Sequence, residues 1–136
     1  MATSTVKYLG NLRTEATHNA SGLKIITDAP VDNNGKGEAF SPTDLTATSL
    51  ASCMITIMGI TANAKNWSLN YCECEVEKIM SSAPRRISEI NLTMKLDAAW
   101  DKKQRSILEN AAKTCPVAFS LHPELKVNLT FNYLTQ

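Results

Sequence analysis

Between Phe40 and Ala64 the chain reads FSPTDLTATSLASCMITIMGITANA, apolar or small at nearly every position from Leu45 onward. Ser41 suits a helix N-cap, Pro42 the first helical position, and Asp44 the acid of a capping box. A helix apolar on all sides has no solvent face, so this segment is expected to be a long, buried central helix. Its length and its Thr and Ser interruptions argue against a bilayer span. In its middle sits Cys53, either a small core hydrophobe or a nucleophile held on a rigid element.

Around this helix the periodicity is that of short strands. Val6 to Tyr8, Leu12 to His18 and Leu23 to Asp28 read as three strands, with turns at Gly10-Asn11 and at Asn19 to Gly22. Arg13, Glu15 and Thr17 share one face of the second strand, and His18 at its end is expected to be exposed. Pro30 to Glu38 reads as a mobile loop whose glycines lack a phosphate-binding pattern.

Beyond the helix, Leu69 to Ile79 alternates. Glu73, Glu75 and Glu77 point outward, while Cys72 and Cys74 point inward as packing residues rather than metal ligands. Ile87 to Leu96 alternates again, with Ser88, Ile90, Leu92, Met94 and Leu96 on one face. Asp101 and Gln104 form a capping box for a second helix, which Pro116 breaks at Cys115 before a short third helix. Cys115 thus stands just ahead of a helix N-terminus, where positive partial charge favours a thiolate. Leu125 to Leu134 closes the chain as a strand with Val127, Leu129, Phe131 and Tyr133 on its buried face.

The order βββαββααβ is not strict βαβ alternation, so an α+β fold with one six-stranded antiparallel sheet is expected. One sheet covers one side of an apolar helix, and a second subunit is the simplest cover for the rest. A single domain over residues 1–136 in a homodimer follows. With 14 Lys and Arg against 13 Asp and Glu, the net charge of +1 shows no basic patch for nucleic acid. The first ten residues lack a signal-peptide core, so a cytoplasmic location is expected, with no membrane partner. Four cysteines in a reducing compartment are more often free, catalytic or metal-binding than disulfide-bonded.

Three motifs are similar to a known family: Ser41-Pro42-x-Asp44-Leu45, Leu50-Ala51-Ser52-Cys53 and Cys115-Pro116-Val117. Together with Tyr8-x-Gly10-x-Leu12-Arg13 they resemble the OsmC/Ohr family of hydroperoxide-reducing proteins over nearly the whole chain. The resemblance implies an intertwined homodimer with two active sites at the subunit interface. It also implies that Cys53 attacks the peroxide, Cys115 resolves, and Arg13 activates. Family hydroperoxidases carry Glu where this chain has Thr43 followed by Asp44, so whether Asp44 replaces that carboxylate beside the arginine is left open by the resemblance. On an ideal helix Asp44 lies about 13 Å from Cys53 along the axis, so a catalytic role for Asp44 would have to run through a dimer partner or an arginine. Its other use is to cap its own helix.

A cysteine of ordinary pKa is only about 3% thiolate at pH 7, and a guanidinium that lowered it by about two units would make the thiolate dominant. The implied function is a thiol peroxidase that reduces organic hydroperoxides through a Cys53 sulfenic acid and a Cys53–Cys115 disulfide. An external lipoyl- or thioredoxin-like dithiol would recycle it, with no metal or other cofactor. Met54, Ile57, Met58, Phe119 and Leu121 flank the cysteines and, if they line the approach, favour bulky organic substrates. The alternatives are a non-catalytic redox sensor and a dimer that binds a small apolar ligand.

Overall fold

The computed structural model describes residues 1–134, so the last two positions of the expected domain lie outside the described residues. The chain divides into two compact units, Met1–Thr46 and a second that begins at Ala47. The element order is the expected βββαββααβ, an α+β arrangement.

In the first unit β1 (Ser4–Gly10), β2 (Arg13–His18) and β3 (Lys24–Asp28) form an antiparallel sheet in the order β1-β2-β3. One face carries Val6, Tyr8, Ala16 and Ile25, paired across the strands as Val6–Ala16–Ile25 and Tyr8–Thr14–Thr27. Val6 and Tyr8 are nearly two-thirds exposed, and the sheet has no buried hydrophobic cluster of its own. The other face carries Arg13, Glu15 and Asp28. The expected loop after β3 holds a single 3-10 turn at Val31–Asn33 and is tied down by backbone bonds to Ala29 and Pro30.

The helix α1 (Pro42–Ala64) starts where its capping signals place it. In the second unit it shares one core with β4 (Cys72–Ser82), β5 (Arg85–Asp97), α2 (Lys102–Ala112), α3 (Pro116–Ser120) and β6 (Lys126–Leu134). β5 is the central strand, and Ile90, Leu92, Met94 and Leu96 on its inner face are all but inaccessible. The acidic row on β4 faces outward, with Glu75 bound to Lys95 and Glu77 to Asn91. Asp101 accepts from the Gln104 N–H, and Gln104 accepts from the Asp101 N–H, as the capping box requires.

Three expectations need correction. The strands form two three-stranded sheets rather than one of six, because β1 to β3 are joined by short turns and pair only among themselves. One pairing is parallel: β6 runs alongside β5 in register Ile90–Val127 through Leu96–Tyr133. The α2–α3 connection is the crossover that parallel strands require, and a reading that looked only for repeated βαβ units passes over a single one. Finally, α1 is not buried all round. Ala47, Leu50, Ala51, Met54, Met58 and Ala62 form one inward stripe, while Ile60 is 59% exposed. At 23 residues α1 is also long and apolar enough to cross a membrane by length and composition, contrary to the expectation from length. The stripe packed into the core is what marks it as a core helix.

Two substitutions test this assignment of the core. Leu92→Ala is expected to cost about 2–5 kcal/mol in denaturant unfolding, and a loss below about 1 kcal/mol would remove β5 from the centre of the core. Asp101→Ala is expected to cost about 1 kcal/mol through the lost cap.

Candidate active site

The turn before β2 sets the position of Arg13. Gly10, Asn11 and Leu12 all have left-handed φ, at 89°, 54° and 62°. That conformation is free for glycine and strained for Leu12, so the strand begins one residue later than the alternation suggested. Hydrogen bonds hold the strained residue: the Leu12 N–H donates to Tyr8 Oη at 3.3 Å, and its carbonyl accepts from the Ala29 N–H at 3.0 Å.

Arg13 then faces Asp28 directly across the β2–β3 ladder. Its Nε donates to Oδ1 at 2.7 Å and its Nη2 to Oδ2 at 2.9 Å, a bidentate fork. Asp28 is 1% exposed and also accepts the Glu38 N–H at 3.1 Å, which pins the end of the loop. The Glu38 carboxylate reaches the same Nη2 at 3.5 Å from a largely exposed position. The hydrogen bonds from Arg13 hold the Asp28 carboxyl below the ordinary aspartate range against the opposing effect of burial, and Asp28 in turn strengthens the hold of Arg13 on its proton.

Sequence reasoning missed Asp28. The signal was present in the turn length: with Asn19 to Gly22 as the turn, His18 pairs toward Leu23, and counting back along both strands sets Arg13 opposite Asp28.

Asp44 lies in the same unit, at the start of α1. Its Oδ2 accepts the Ser41 N–H and its own N–H donates to Ser41 Oγ, both at 3.0 Å. Thr43 Oγ1 lies 3.3 Å from the same Ser41 hydroxyl. This is the reciprocal pattern of a capping box, with Asp in place of Glu.

The second unit holds the cysteine pair. Cys53 is half-buried on α1, and Cys115 is fully buried as the N-cap of α3. Both thiols are free, with Cys115 inside the hydrophobic core and Cys53 packed against that core. Cys115 Sγ accepts the Ala118 N–H at 3.3 Å, as expected of a residue ahead of a helix. Its thiol is nevertheless pushed up, chiefly by burial, with the Cys53 thiol adding to the rise. The expectation that the helix end makes Cys115 acidic is thus overturned, because desolvation outweighs two backbone N–H groups on a five-residue helix.

Cys72 and Cys74 point inward against the core, where burial lifts Cys72 to about 11 and raises Cys74. Of the apolar residues flanking the pair, Met54 and Met58 are core, and Phe119 is 75% exposed. Met54 also lines a cavity of about 370 Å³ with Lys113, Ala118, Val127 and Leu129. Among the described residues no three His, Cys, Asp or Glu side chains gather to hold a metal ion.

The family model described as OsmC-like protein matches residues 35–130. Among solved structures, a protein of Psychrobacter arcticus 273-4 with an assumed role as an osmotic stress induced and detoxification response protein is 51% identical. That match covers 97% of this chain and 96% of the other, with a TM-score of 0.94. An organic hydroperoxide resistance protein OsmC of Legionella pneumophila shares the fold at 19% identity and a TM-score of 0.76, with 97% and 98% of the two chains covered. The organic hydroperoxide resistance protein OhrB of Bacillus subtilis does so at 19% and 0.65, with 96% and 98% covered. No curated protein sequence matches. With a family model over most of its length and a half-identical relative of the same fold, the chain belongs to the OsmC/Ohr family as an OsmC-like protein.

Proposed function

We propose that the protein is a cysteine-based peroxidase that reduces organic hydroperoxides to alcohols. The observation that carries this reading is the pair of free thiols at one core, a buried Cys115 within it and a half-buried Cys53 packed against it. The Cys53 thiolate attacks the peroxide O–O bond and takes one oxygen as a sulfenic acid, and the alkoxide leaves as the alcohol after gaining a proton. The Cys115 sulfur then displaces hydroxide from the sulfenic acid, forming the Cys53–Cys115 disulfide and releasing water. A lipoyl- or thioredoxin-like dithiol reduces that disulfide by exchange and is itself oxidised to a disulfide. The order of attack is supported by the raised Cys115 thiol, which burial keeps protonated and so a weaker nucleophile. The names of the Legionella and Bacillus proteins, both organic hydroperoxide resistance proteins, support the substrate class.

In this reading Arg13 supplies the guanidinium that favours the Cys53 thiolate, since arginine does not lose its own proton. Asp44 contributes by fixing the start of the helix that carries Cys53. The working form is a cytoplasmic homodimer. The open Val6, Tyr8 and Ile25 face of the first sheet and the exposed Ile60 on α1 are apolar surfaces that a second copy would cover.

The test is turnover with cumene hydroperoxide and a dithiol. Cys53→Ser should abolish it, while Cys115→Ser should leave one stoichiometric reduction and a sulfenic acid trappable on Cys53. Trapping the acid on Cys115 of the Cys53→Ser variant would reverse the roles. Thiol alkylation of the reduced protein at neutral pH should modify Cys53 well before Cys115, because a thiol with a raised pKa stays protonated and unreactive until the pH climbs past that value. Faster labelling of Cys115 would contradict the proposed order.

A further inference from the structure

We infer that Asp28 is the positioning residue for Arg13, the carboxylate that aims its guanidinium. The inference rests on the proposed role of Arg13 in peroxide reduction. A guanidinium on a flexible stem loses orientation unless two donors along one edge of its plane are held at once, and a bidentate carboxylate holds them. Asp28 meets Nε and Nη2 at 2.7 and 2.9 Å from a position that is 1% exposed, so its geometry is set by the β2–β3 ladder rather than by solvent. Arg13 has five N–H donors. The contacts to Asp28 and Glu38 engage Nε and Nη2, and the two Nη1 donors lie outside them.

Asp28 also reaches beyond the strand. Its Oδ2 accepts the Glu38 N–H, and its own N–H donates to the Phe40 carbonyl at 3.1 Å. One carboxylate therefore locks the arginine and closes the Pro30 to Glu38 loop. The charged groups facing it are Arg13, Lys36 and Glu38. Glu38 is the weaker partner, at 3.5 Å and mostly exposed, where an ion pair contributes little. A carboxylate that only balanced charge could sit at either position. The buried, two-point contact at Asp28 is the one that sets direction.

The experiment compares Asp28→Asn, Glu38→Gln, Arg13→Lys and the Asp28→Asn/Arg13→Lys double variant with wild type. Each is checked for folding by thermal unfolding, then measured for hydroperoxide turnover and for the pH profile of Cys53 alkylation. Asp28→Asn should slow turnover by about tenfold or more and move the alkylation profile upward by about one pH unit, because one unit is a tenfold change in thiolate. Glu38→Gln should leave both near wild type. The double variant should be no slower than Arg13→Lys alone, since Asp28 acts through Arg13.

A folded Asp28→Asn with wild-type turnover and an unmoved profile overturns the inference while leaving the peroxidase reading intact. So does a double variant whose losses simply add. If Arg13→Lys itself moves neither readout while Cys53→Ser is inactive, the role of Arg13 fails and the inference falls with it. If wild type does not turn over hydroperoxide, the proposed function fails, and the alkylation profiles alone then decide whether Asp28 governs Cys53. Should Asp28→Asn not fold, Asp28→Glu keeps the charge but displaces the fork, and a wild-type alkylation profile in that variant overturns the inference equally.

Discussion

The second unit depends on the inner face of β5. Four consecutive inward positions, Ile90, Leu92, Met94 and Leu96, are stripped of water, and β4 and β6 are both registered against that one strand. Each such side chain contributes roughly 1.5–3 kcal/mol on burial, so a single strand carries a large part of the driving force of the unit. The inward stripe of α1 and the buried positions of α2 belong to the same cluster. Cys53 and Cys115 are therefore presented by elements that share one core, α1 and the junction between α2 and α3, and that shared placement is a consequence of packing rather than of any local signal.

Two opposed electrostatic effects meet at Cys115. The N-terminus of α3 offers backbone N–H groups to the sulfur, and burial removes the water that would solvate a thiolate. Burial prevails, because a helix of one turn offers few donors and the residue has no exposed surface. The opposite balance holds at Asp28. That carboxylate is as deeply buried, but it receives two charge-assisted bonds from Arg13 and a third from the Glu38 N–H, so it remains the charged form. Both side chains are all but closed to solvent, and the supply of donors decides which group ionises.

Alternation and capping chemistry made most of the elements legible. The outward acids of β4, the inward row of β5, the Asp101–Gln104 box and the Pro116 break all follow from rules of period two or of helix ends. The exposed His18, bonded to Ser21 at a strand end, follows from the polar turn beside it. Less legible was the direction of β6. A strand that returns through two helices can pair on either side of its sheet and in either sense, and only the length of the crossover favours the parallel one.

The sequence by itself determined where the candidate residues of the proposed chemistry stand: two cysteines in helix contexts, an arginine on a strand, and a helix too apolar to stand in water alone. Turn length even encoded the Arg13–Asp28 pairing, although strand alternation alone did not reveal it. Tertiary structure decided the rest. That Cys115 is buried, that its thiol pKa is pushed up, and that Asp28 is sealed from solvent all depend on which surfaces lose water when distant segments pack. Desolvation is a property of the assembled neighbourhood, and the order of residues along the chain does not contain it.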